Sequence, residues 1–158
     1  MKLLQRLAYD EVKAAKIFSS GIIDVILKAH EDNKFPLEVL TELFSLFNQL
    51  TKSEEANSAL GERVCPLVVD NMNLYINHEK GSKLLQKGAQ ALSNFAFLEL
   101  NAEFIISSGA IDCIILLLIG FKGDNDIVVD SFRLISNIAL INEENRKFLL
   151  KKDLVTHV

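Results

Sequence analysis

The stretches Ser19–Asp24 (SSGIID) and Ser107–Asp112 (SSGAID) differ at one position and lie 88 residues apart. The match runs forward, with "SSGIIDVILKA" over "SSGAIDCIILL", and backward, where Leu3–Gly21 lies over Ala91–Gly109 without a gap. Half of that offset places a middle copy near Glu62, where "RVCPLVVD" supplies an apolar run and Pro66 suits the first turn of a helix. Asn57, Asn101 and Asn145 repeat the 44-residue spacing independently. An internal period of this length constrains the fold more than any single motif, because each unit buries its apolar face only against its neighbours. The units read as 13–56, 57–100 and 101–144, with 1–12 the end of a preceding repeat and 145–158 ("…KDLVTHV") the start of a further one. Neither end carries the polar outer face of a terminal repeat. The expectation is a piece of a longer array, or a chain whose ends pack on another copy or protein.

Each unit divides into three helical pieces. The first is short and ends at a turn residue such as Gly21 or Gly109, where a left-handed backbone costs glycine nothing. The second is apolar nearly all round ("IIDVILKA", "PLVVDNMNLYI", "AIDCIILLLIGF"), which predicts burial on most faces. The third is amphipathic. In "DNDIVVDSFRLISNIAL" the apolar pairs recur at helical spacing and leave Asp126, Asp130, Arg133 and Asn137 on one stripe. The links "EDNKFP", "HEKGS" and "FKGDND" carry the breakers Pro36, Gly81 and Gly123. Asn57, Asn101 and Asn145 stand where the short first helices begin and read as N-caps. No β-alternation of useful length occurs, so the fold class is all-α.

Composition narrows the functional classes. A chain of 158 residues with 49% hydrophobic and 24% charged residues reads as one ordered, soluble domain. A net charge of −4 argues against a nucleic-acid binder, which needs a concentrated basic face. The longest apolar run, "AIDCIILLLIGF", is 12 residues and contains Asp112, short of the ~20 needed to span a bilayer. With no signal peptide pattern and two cysteines in apolar surroundings, the expected compartment is cytoplasmic or nuclear, not secretory.

The sequence "GAIDCIILLL" followed by "LISNIALINEEN" resembles the armadillo repeat family, in which Gly-Ala-Ile-Pro opens the second helix and Leu-x-Asn-(Ile/Leu)-Ala closes the third. The resemblance covers almost the whole chain and is strongest over Asn101–Glu144. It implies a right-handed α-α superhelix of about three repeats, with partial repeats at both ends. It also implies that Asn94 and Asn137, with Asn48 as their equivalent one unit earlier, line the concave groove of third helices. On the same stripe stand Phe44, Gln90 and Arg133, where the family's nuclear-import receptors carry tryptophan, together with Lys83, Lys87 and Asp130. This chain has no tryptophan, so the implied partner has acidic or mixed charge rather than the basic signal of those receptors. Asp130 and Arg133, at i and i+3, can neutralise each other. In the first partial unit the aligned positions are Lys2 and Arg6, and the asparagine row stops there. An asparagine carries a donor and an acceptor, so a row of them can bond the main chain of an extended peptide. The same side chains can instead satisfy backbone groups between adjacent third helices, and both readings stay open.

A search for chemistry returns nothing: no Gly-rich phosphate loop, nucleophile elbow, His-Glu-x-x-His or convergent carboxylate pair. "GDND" at Gly123 fails as a calcium loop, since the sixth and twelfth positions from Asp124 are Val129 and Ile135. His30, His78 and His157 form no ligand cluster, and Cys65 and Cys113 read as core. The expected function is therefore a non-catalytic interaction scaffold without metal or cofactor, binding a protein or extended peptide. The alternative is an architectural or regulatory segment that docks through its ends or convex surface, or that regulates a catalytic region elsewhere.

Overall fold

A computed structural model of the chain describes residues 1–152. The end of the last partial repeat, 153–158 with His157 in it, lies outside the described residues. Those residues form ten helices and no strand: α1 (Lys2–Leu7), α2 (Glu11–Ser19), α3 (Ile22–Asp32), α4 (Leu37–Leu50), α5 (Glu54–Tyr75), α6 (Ser82–Phe95), α7 (Glu99–Ser107), α8 (Ala110–Gly120), α9 (Asn125–Ile141) and α10 (Glu143–Lys151). The all-α class is as expected.

The repeated Ser-Ser-Gly is a helix stop. Ser20 and Ser108 donate their hydroxyls to carbonyls of the preceding turn, at Ile17 and Ile105. Gly21 (φ 74°) and Gly109 (φ 79°) then take the left-handed conformation that lets α3 and α8 leave in a new direction. At Gly109 the axis turns by 72°. The middle copy has Arg63-Val64-Cys65 at the aligned positions, with no residue suited to φ > 0. There the corner is absent. α5 runs unbroken for 22 residues and carries Pro66 in its interior, which corrects the expectation of Pro66 in a first turn and of three pieces in every unit.

A second correction concerns Asn57, Asn101 and Asn145. The N-caps are Ser53, Leu98 and Asn142, and the three asparagines stand inside the helices. Their amides serve the ends of neighbouring helices: Asn57 reaches the end of the following helix α6, and Asn101 and Asn145 the ends of the helices before them. The carbonyls of Ser93, Asn94 and Phe95, in the last turn of α6, each accept a side-chain amide: from Asn137 (2.8 Å), Asn57 (3.4 Å) and Asn101 (3.1 Å). The carbonyl of Ile138, in the last turn of α9, accepts from Asn145 (3.3 Å). Helix C-termini leave carbonyls without intrahelical partners, and these amides bond to them. Asn101 is fully buried and also lies 2.9 Å from Asn57 Oδ1. A Cβ on Gly61 would overlap Asn101 Oδ1, so glycine is what lets α7 approach α5 here.

The core follows the same order. α6 packs between α4 and α9, α5 against α6 and α7, and α8 and α10 against α9. Phe44, Phe47 and Phe95 are fully buried, with the Phe44 and Phe47 rings 6.3 Å apart. Each such side chain contributes about 1.5–3 kcal/mol on leaving water. Surface ion pairs recur too: Arg63 holds Asp24 at 2.5 Å, and Lys152 holds Asp112, the residue 88 positions on, at 2.7 Å.

Candidate functional site

The neighbouring helices α4, α6 and α9 bring Asn48, Asn94 and Asn137 together in a row. Asn94 donates to Asn48 Oδ1 at 3.0 Å, and Asn48 donates to the carbonyl of Lys87 at 3.2 Å. Asn137 donates to the carbonyl of Ser93. Helix α4 is thus tied to α6, and α9 to α6, by asparagine amides. The inter-helix reading therefore holds for all three side chains. It does not use them up. Asn94 Oδ1 and Asn137 Oδ1 have no hydrogen-bond partner among the described residues, and both side chains are partly exposed. Two amide acceptors remain without a partner.

Around the row the predicted neighbours separate. Lys83 and Arg133 are exposed, and Lys87 and Gln90 are half-buried, with Lys87 Nζ donating to Gln90 Oε1 at 3.1 Å. Asp130 is buried and accepts from Arg133 Nη1 at 2.7 Å, the neutralising pair expected from the i, i+3 spacing. Burial raises the Asp130 carboxyl above its ordinary range, while the Arg133 and Lys87 cations oppose the shift and Asp126 adds to it. Phe44 is a correction: it is fully buried against Phe47 and offers no surface to a partner. Its position on α4 sits one turn before Asn48, but its side chain turns into the core. Ser131, the next residue after Asp130, is fully buried, and its hydroxyl has no partner.

Other chemistry is sparse. Among the described residues no group of three or more His, Cys, Asp or Glu is placed to hold a metal ion. Burial pushes the Cys65 thiol up, and Cys113 up to about 12, so both are protonated core side chains. No single helix among the described residues is long and apolar enough to cross a membrane.

Two features escaped the sequence reading. One is the buried set Asn57 and Asn101, whose period was visible but whose role was misassigned. The other is His30. It stands in the last turn of α3, is 2% exposed, and accepts the Phe35 amide on Nδ1 at 3.0 Å.

No family model matches the chain, and no curated protein matches it.

Proposed function

We propose that this chain is an armadillo-like solenoid segment that works as a non-catalytic protein-interaction scaffold, holding an extended peptide along the face of α4, α6 and α9. The observation that carries this reading is the row Asn48, Asn94, Asn137, whose members lie on three adjacent helices and leave Asn94 Oδ1 and Asn137 Oδ1 free. An extended peptide loses water from its N–H groups on binding, and a free amide oxygen replaces that water. The repeat geometry supports the solenoid: side-chain bonds join residues 44 apart at Asn57–Asn101 and Ser93–Asn137. Specificity would come from the charges beside the row. Lys83 and Lys87 lie on α6, while Arg133 is balanced by Asp130, so a ligand of mixed or acidic charge fits best.

The test is selection of peptides from a display library on the folded chain, followed by affinity measurement on Asn94→Ala/Asn137→Ala. Loss of one hydrogen bond per site, about 0.5–1.5 kcal/mol each, predicts roughly a tenfold weakening with an unchanged circular dichroism spectrum. Unchanged affinity would remove the reading.

An architectural role is the second reading, favoured by large apolar side chains left exposed on the last three helices: Leu116 and Ile119 on α8, Phe132 and Leu140 on α9, and Leu150 on α10. Docking there would be lost on Phe132→Ser/Leu140→Ser and untouched by the asparagine changes.

A further inference from the structure

A groove of about 720 Å³ lies between the end of α3, the following link and α5, away from the α4–α6–α9 face. Its apolar lining is Phe35, Pro36, Leu67, Leu74 and Tyr75, with Leu74 72% exposed despite its size. His30 lines it as well. The His30 ring is 98% out of solvent, and its Nδ1 is occupied by the Phe35 amide, which makes Nδ1 the acceptor and leaves the proton on Nε2. Nε2–H has no hydrogen-bond partner among the described residues. On the α5 wall, one turn beyond Leu67, Asn71 donates its amide back to the Leu67 carbonyl at 2.8 Å and leaves Oδ1 without a partner. The lining of the groove therefore includes one unpaired donor and one unpaired acceptor beside an apolar surface.

We propose that this groove is a second peptide site, which takes an extended segment bearing a large aliphatic or aromatic side chain, its carbonyl on His30 Nε2–H and its N–H on Asn71 Oδ1. A docked helix would leave both groups unmatched, because its own main chain is already paired. An extended main chain presents both kinds of group within a residue or two of each side chain. The held tautomer of His30 gives the direction: the ring donates to the ligand and cannot accept from it. The charges at the rim, Glu31 and Lys34 on one side and Arg63 and Asp70 on the other, are of both signs. The main chain and one apolar side chain, rather than net charge, are what this site reads.

The experiment is nuclear magnetic resonance titration of the labelled full chain with acetyl-Gly-Leu-Gly amide and acetyl-Gly-Phe-Gly amide. Acetyl-Gly-Gly-Gly amide supplies the main chain alone, and isobutanol the side chain alone. Saturable shifts at the His30 ring and the Asn71 side-chain amide are expected with the Leu and Phe peptides. Burying one such side chain is worth about 1.5–3 kcal/mol, so affinity should exceed that of the glycine peptide by at least about tenfold. Leu74→Ser, on a side chain already mostly in water, should remove most of that gain. Asn94→Ala/Asn137→Ala should leave it unchanged, which separates this site from the α4–α6–α9 face. Absence of saturable shifts at His30 and Asn71, equal shifts with isobutanol, or insensitivity to Leu74→Ser would each overturn the proposal.

Discussion

Asparagine side chains on or just after α4, α6 and α9 join neighbouring helices, and their buried environments make single changes readable. Asn101 is the most demanding, since its amide reaches Phe95 and Asn57 while Gly61 lies against its oxygen. Gly61→Ala should gain up to about 1 kcal/mol of helix propensity on an open helix. Here the added methyl displaces Asn101, and the net change should be a loss of about 1–3 kcal/mol in urea unfolding, because buried amide and carbonyl groups lose their partners. Ser131→Ala should act in the opposite direction, by up to about 1 kcal/mol, since it deletes a buried hydroxyl that bonds to nothing. His30 gives a pH signature. Burial, with the Lys34 cation adding to it and Glu31 opposing it, holds its pKa below the usual 6.5. The unfolded chain then takes up the proton first, so this contribution to stability is complete above 6.5 and is lost as pH falls toward the folded value. Unfolding free energy should drop between pH 7.5 and 5.5 in the natural chain and less steeply in His30→Gln. Asp130, with its pKa raised, contributes with the opposite sign and is common to both proteins.

Helices show which sequence signals carried physical information and which were ambiguous. The Ser-Ser-Gly corners were legible because glycine at φ > 0 is a steric requirement that leaves a mark in the sequence. The missing corner in α5 was not, since Pro66 suits a first turn and is tolerated in an interior with equal spelling. Its interior position removes one amide from the helix ladder. Pro66→Ala should therefore raise the thermal midpoint, with a gain of up to about 3 kcal/mol if α5 stays straight through the site. The period of Asn57, Asn101 and Asn145 was plain, but spacing does not distinguish an N-cap from a side chain that bonds the end of a neighbouring helix. Phe44 was misplaced for a related reason. Helical spacing put it on the stripe of Asn48, and the packing of α4 into the core removed it from the surface. Asn71 and His30 left no signal, because a groove formed by a link and two helices has no local pattern.

At the scale of the molecule, side-chain bonds span 44 residues and α6 packs against both α4 and α9, which in the proposed reading sets Asn48, Asn94 and Asn137 along one face. Such a face suits an extended ligand better than a compact one. The account stands on the two free asparagine oxygens in that face. Its most direct test is the side-chain amide spectrum of the isotopically labelled protein, recorded with a display-selected peptide. The predicted footprint is a saturable shift of the Asn94 and Asn137 side-chain amides together with Lys87 and Arg133. A footprint confined to Leu116, Ile119, Phe132 and Leu150, with Asn94 and Asn137 unmoved, would contradict it.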